Sequence, residues 1–237
     1  MTPSFVNKWL KNSHNYLLPT VCLLCGADSQ GSVNLCHGCC ANLPWIEQAC
    51  VRCAVALPES YLCPHCQQSP PSFDKTYAPF WYLPPISDLI LRLKFQGVLS
   101  VAPALGLLLS RRLIDRIDVY PDALLPVPLH RSRLRSRGYN QAVEIARIVA
   151  KQLALPLLVS GIERVRATAP QSTLRTHQDR QRNMRDAFRV ECGFGEAAHI
   201  AIVDDVMTSG ATLQALASAL KQQGVARVDV WVCARAS

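Results

Sequence analysis

The stretch IAIVDDVMTSGATLQAL, residues 200–216, ends an apolar run on two adjacent carboxylates, Asp204 and Asp205. It then passes through Thr208, Ser209 and Gly210 before an apolar helical pattern resumes. Neighbouring carboxylates repel each other, so the pair is useful where water, a cation or a hydroxyl-rich ligand meets it. The loop beyond offers backbone N–H groups from Val206, Met207, Gly210 and Ala211. It adds two small hydroxyls, Thr208 and Ser209, near a helix start, which is the make-up of a phosphate cradle. Carboxylates next to a phosphate site suit a sugar phosphate: they accept from two ribose hydroxyls or hold a hydroxyl-bound Mg2+. The chain has no G-x4-G-K-[ST] segment, which argues against Asp204 and Asp205 as the partner of a P-loop. The Gly-x-Gly of CGFGEAA precedes the strand, where a dinucleotide fingerprint would follow it. A helix cap at Asp205 or Thr208 would account for one residue and leave the pair unexplained.

A second chemistry lies in the cysteines. Cys22-x2-Cys25, Cys36-x2-Cys39, Cys50-x2-Cys53 and Cys63-x2-Cys66 are separated by 10, 10 and 9 residues. A CxxC turn aims two thiolates at one point, and two such turns complete a tetrahedral four-sulfur zinc site. Eight cysteines therefore predict two structural zinc ions, with redox CxxC motifs as the competing reading. Sequential pairing would group Cys22, Cys25, Cys36 and Cys39, and interleaved pairing is the alternative. His37 and His65 sit inside the turns, where they make poor ligands. Cys40, Cys192 and Cys233 are left over, the last two reading as buried thiols.

The chain has 237 residues and a formal net charge of +8. Each four-thiolate zinc site carries about −2, which brings the total to about +4. The excess is concentrated: residues 131–189 hold 13 basic residues, 12 of them Arg, against four acidic ones. The planar guanidinium suits phosphate oxygens, so polyphosphate or nucleic acid is the expected partner, against a merely solvated basic face. Lys8 and Lys11 before YLLPTVCLLCG resemble a weak signal sequence, but Pro19 breaks the run and no small-residue cleavage pattern follows. No apolar run reaches the roughly 18 residues of a membrane span. A cytoplasmic protein is expected.

These residues need elements to hold them. Residues 1–20 read as a lead-in helix, 21–68 as the cysteine module and 75–237 as an α/β domain, with QQSPPSFD as the linker. YAPFWYL reads as a strand, and residues 86–114 as one or two helices broken near Gly97 and Pro103. DALLPVP is a strand running into a loop. Ala142, Ile145, Ala146, Val149 and Leu153 share one helical face. AFRVEC and ARVDVWVCARA read as strands, HIAIV as a buried parallel one, and Leu213, Leu216, Ala217 and Leu220 as the face of the helix between. Strands alternating with helices predict a mainly parallel sheet, with ligands bound at the strands' C-terminal ends.

IVDDVMTSGAT resembles the phosphoribosyl pyrophosphate (PRPP) binding loop of type I phosphoribosyltransferases. The whole chain resembles the ComF/GntX family, a double zinc ribbon followed by a phosphoribosyltransferase-like domain. LLPTVCLLCG, LRLKFQG, PVPLHRSRLRSRGYNQA and TAPQSTLRTHQDRQRNMRDAF carry the likeness, with Ser209 where Thr is commoner. The resemblance implies that Asp204 and Asp205 face the ribose and act in catalysis with Mg2+. It places the 5′-phosphate on the loop from Val206 to Thr212, and the pyrophosphate near Leu129, His130, Arg131, Arg137, Gly138 and Asn140. Residues 166–185 would form a mobile flap, with Gln171, Arg175, Arg180 and Arg182 closing over the ligand. It also implies a role in natural competence: handling incoming single-stranded DNA on the cytoplasmic side, at the periphery of the inner membrane beside the uptake machinery. Transfer to a small-molecule acceptor, or PRPP sensing without turnover, are the alternatives.

Overall fold

A computed structural model describes residues 21–29, 33–58, 61–166, 187–190 and 197–236. The lead-in helix expected over residues 1–20, Cys192, and the flap candidates Gln171, Arg175, Arg180 and Arg182 lie outside the described residues. The chain forms two compact units, Met1–Leu43 and Pro44–Ser237. In the smaller unit the Cys22–Cys25 turn closes by hydrogen bonds from Cys22 N–H to Ala27 and from Gly26 N–H to Cys22. Helix α1 (His37–Ala41) carries the second pair. Cys22, Val33, Leu35 and Leu43 are buried there.

The larger unit opens with the other two cysteine pairs, the last on α2 (Pro64–Gln68). A parallel sheet follows, in the order β1 (Lys75–Tyr77), β7 (Arg227–Arg235), β6 (His199–Met207), β3 (Ala123–Pro126). The short β2 (Phe80–Trp81) also pairs with β7. The expected strand over YAPFWYL is thus two pieces, split at Ala78 and Pro79. Proline cannot donate to a ladder, which accounts for the break. A separate antiparallel ribbon joins β4 (Ile162–Arg164) to β5 (Phe188–Val190). Neither β4 nor the ribbon was legible in the sequence.

Alternation along the strands divides the core. One face presents Ile200, Ile202, Val228, Val230 and Val232 to α7 (Ala211–Gln222), which contributes Leu213, Leu216 and Leu220. The other side carries α4 (Val101–Ile114) and α6 (Gln141–Leu153), which pack on each other and reach β7 and β6 respectively, with α3 (Ile86–Phe95) against α4. The break between α3 and α4 falls at Gly97, as expected, but Pro103 does not break α4. It is that helix's third residue, where a missing N–H costs no intrahelical bond. As expected, β3 runs into a short loop, residues 127–130, which leads into α5 (Arg131–Arg137), capped by the His130 side chain and closed by Gly138.

Candidate functional site

The strand β6 does not stop at the carboxylates. Its pairing with β7 runs through Asp204 to Met207 opposite Arg235, so the sheet itself holds both side chains. Thr208, Ser209 and Gly210 then turn into α7. Gly210 has φ +76°, a left-handed conformation that favours glycine, while a Cβ there would meet only the movable tip of Met207 at 2.8 Å. Ser209 Oγ accepts from Ala211 N–H at 3.4 Å. The electropositive N-terminus of α7 closes the turn.

The two carboxylates have different surroundings. Successive strand residues point to opposite faces, and Asp205 goes inward, 1 % exposed. There it meets Lys94 Nζ of α3 at 2.9 Å. Lys94 is the cation that the sequence left unidentified, although LRLKFQG had been singled out. Its position on one face of α3 was the available signal. Burial works against the Lys94 charge, and Asp205 and Asp204 more than restore it. Asp204 lines the cavity beside this pair. Burial, reinforced by Asp205, pushes its carboxyl up to about 8.

A cavity of about 870 Å3 lies at this end of the sheet. It brings together Asp204, Asp205, Val206, Thr208 and Thr212 with Leu129 and Arg137. Arg133, expected from the sequence as a DNA contact, and Arg164, not singled out, join them. Burial lowers the pKa of both guanidiniums. Arg137 lowers that of Arg133 further, and Arg133 that of Arg164. The cavity wall is thus a cluster of mutually repelling cations, which a polyanion would relieve. Arg137 also bonds to Gln141 Oε1 and lies 5.6 Å from the ring centre of Phe95.

Other expected residues lie around this cavity. Met207 packs beneath the loop, 3 % exposed. Arg131 pairs with Glu163 at 2.7 Å and, with Gly138 and Asn140, lines an adjoining cavity of about 680 Å3. His130 accepts from Ser132 N–H at 3.2 Å. Asn140 caps α6 and donates to the Val127 carbonyl at 3.0 Å, tying the helix start to the end of β3.

The cysteines group sequentially. Cys22, Cys25, Cys36 and Cys39 form one cluster and Cys50, Cys53, Cys63 and Cys66 the other, each with all sulfurs within 4.8 Å of one another. Cys25 and Cys36 Sγ are 3.7 Å apart, Cys53 and Cys63 Sγ 3.6 Å. Zinc–sulfur bonds of about 2.3 Å in a tetrahedron require sulfur separations of about 3.8 Å, so both clusters fit the ion. Each also has a thiol prepared for ionisation. Burial opposes the charge on Cys22, but N–H donors from Cys25, Cys36 and Leu24 outweigh it and lower the pKa to about 6. Cys50 reaches about 7 in the same way, through Cys53, Cys63 and Arg52. Cys39 is pushed up to about 12 by its hydrogen bonds with Cys36, Cys25 and Cys22, and burial lifts Cys53 to about 11. Such a set ionises fully only around a cation.

Residues 13–67 match the double zinc ribbon domain family, and residues 140–237 the phosphoribosyl transferase domain family. The chain is 33% identical over 224 residues to competence protein F of Haemophilus influenzae, covering 91% of this chain and 96% of that protein. The chain belongs to the ComF/GntX family. DNA utilization protein YhgH of Escherichia coli K12 is 32% identical, with 92% of this chain and 98% of that protein covered. Competence protein ComFC of Bacillus subtilis is 26% identical, with 87% and 90% covered. The family architecture accounts for both chemistries: two ribbon-type cysteine sites and a parallel-sheet domain with its loop at the strand ends. No helix among the described residues is long and apolar enough to cross a membrane.

Proposed function

We propose that the 870 Å3 cavity binds PRPP with Mg2+, and that the protein uses this site in the cytoplasmic handling of incoming single-stranded DNA, at the periphery of the inner membrane. One observation carries the PRPP reading: a single cavity sets Asp204 and the Thr208–Thr212 loop against Arg133, Arg137 and Arg164. The loop takes the 5′-phosphate through Thr208, Ser209 and Thr212 and the start of α7. Asp204 accepts from the ribose hydroxyls, while Asp205, tied to Lys94, holds its neighbour in place. The arginines take the pyrophosphate.

In turnover the ribose C1–oxygen bond breaks, the electron pair leaves with pyrophosphate, and an acceptor's lone pair forms the new bond to C1. Asp204 would hold a Mg2+ ion, which would supply charge neutralisation of the leaving group. Arg133, Arg137 and Arg164 stabilise the same growing charge from the protein side. Calorimetry tests the site. PRPP–Mg2+ should bind the wild type, and Asp204→Asn should weaken it by about tenfold, roughly 1.4 kcal/mol. No heat at millimolar PRPP would remove this reading.

The DNA role rests on the names of the relatives and on the basic stretch 131–189. It predicts salt-dependent binding of single-stranded DNA, with a smaller slope of log affinity against log salt in Arg133→Ala.

A further inference from the structure

The larger unit contains a four-cysteine site and a phosphate loop, and one side chain touches both. Arg235, at the end of β7, donates from Nε to the carbonyl of Cys53 at 2.9 Å. Its Nη1 donates to the carbonyls of Met207 at 3.2 Å and Thr208 at 2.6 Å, and to that of Ala236. Cys53 belongs to the second sulfur cluster, while Met207 and Thr208 begin the turn into α7. We propose that Arg235 is a positioning residue through which metal in the second cysteine site controls the shape of the phosphate loop, making that site a regulator of ribose-phosphate binding. The functional consequence rests on the PRPP reading above; the mechanical link does not.

A guanidinium suits this task because it is a flat fork with its donors at fixed angles, so an acceptor that moves at one end moves the fork at the other. The Cys53 end is rigid only while the knuckle is closed. Cys50 N–H bonds to Val55, Ala54 N–H to Cys50, and Cys63 N–H to Cys50 Sγ at 3.3 Å. Four thiolates around Zn2+ fix these backbones and present a net charge of about −2 to the guanidinium. Two further bonds tie the same segment to the sheet: Thr76 N–H to the Val51 carbonyl and Thr76 Oγ to the Arg52 carbonyl. Those bonds reach the edge strand β1. Arg235 is the link that ends on the loop.

Hydrogen exchange on the full-length, zinc-loaded protein tests the link without any ligand. Arg235→Met, and separately Cys63→Ser with Cys66→Ser, should each raise amide exchange at residues 207–210 by about tenfold. The triple variant should exceed neither, because one connection is cut in both cases. Arg235→Lys keeps the charge but loses the fork, and should fall between. Unchanged loop exchange in Arg235→Met, or effects that simply add, would overturn the proposal. Should the cysteine variant not fold, zinc release decides instead. In a Cys22→Ser, Cys25→Ser background that leaves only the second metal, Arg235→Met should speed release to a chromogenic chelator about tenfold. An unchanged rate would count as refutation. PRPP–Mg2+ adds the functional arm: it should slow that release in the presence of Arg235 and not in Arg235→Met, as reciprocal coupling requires. If PRPP fails to bind the wild type, the PRPP reading falls while the exchange result still decides the link.

Discussion

The two four-cysteine sites share a sequence pattern and differ in what surrounds them. The first lies in the small unit and is partly open: Cys25 is exposed, and Cys36 and Cys39 are half-buried. The second lies in the sheet's own unit, with Cys50, Cys63 and Cys66 all at or below 5 % exposure. Its turn is bonded to β1 through Thr76 and to the end of β7 through Arg235. Motif spacing specifies a metal site, but burial and bonding decide whether the metal is local or serves the whole unit. The two carboxylates repeat the lesson on a smaller scale: Asp205 is anchored by Lys94, and Asp204 is open to the cavity.

The largest effect should come from breaking the first contrast. Cys50→Ser and Cys25→Ser should each remove one zinc by metal analysis. Calorimetry should show the main transition falling by about 10 °C in Cys50→Ser, roughly 3–5 kcal/mol for a unit of this size. Cys25→Ser should leave that transition within about 2 °C. Equal shifts would mean that the sites are equivalent.

The carboxylate pair should split next. Asp205→Asn leaves Lys94 without its partner and should cost about 2–3 kcal/mol in urea denaturation, less than for a fully buried pair. Asp204→Asn removes the cost of protonating this carboxyl on burial and should gain on the order of 1 kcal/mol near neutral pH. The sign with pH follows. Because the folded-state pKa of Asp204 is raised to about 8, the folded protein holds a proton that the unfolded chain has lost. That contribution is complete below about pH 4 and disappears as pH rises towards 8. Wild-type stability should therefore decline over this range, and Asp204→Asn should flatten the decline. A wild-type curve that rises between pH 5 and 8 would place the charge elsewhere.

The smallest effect concerns corresponding turn positions. Gly26 has φ +75° and Ala54 φ +54°. Gly26→Ala should cost about 1 kcal/mol in zinc affinity at the first site, since space is free there but the left-handed conformation is not. Ala54→Gly should be close to neutral, because relief of strain is offset by lost burial and added chain entropy.

Much of this was legible in the sequence because it depends on local spacing. Sequential CxxC pairs, the DD-x2-TSG loop and the apolar runs of β6 and β7 each carry their meaning within about 15 residues. Arg235 was not legible, and of Lys94 only its place on one helical face was. Each acts on a partner more than 100 residues away, and register across the sheet, absent from any local pattern, sets their roles. The place of Arg133 in the cavity, and Arg164 altogether, were hidden differently, among many arginines whose burial depends on α5 and β4. The assignment of the first two and last two CxxC pairs to different units was equally invisible, since all four are evenly spaced.

The position of β7 within the sheet has a consequence in time. Residues 75–81 bond back to the preceding segment through Thr76, Pro79 and Trp81, but their partner strand in the sheet is residues 227–235. At roughly 5–20 residues per second on the ribosome, that strand edge waits about 10–30 s for its partner. During this wait the second cysteine pairs, already complete and local, are the part of the neighbourhood that can close. Protease protection of stalled nascent chains should therefore appear around residues 50–66 well before it appears at residues 75–81. Zinc supply during synthesis then determines whether the unpaired edge begins its wait beside a folded knuckle or a loose chain.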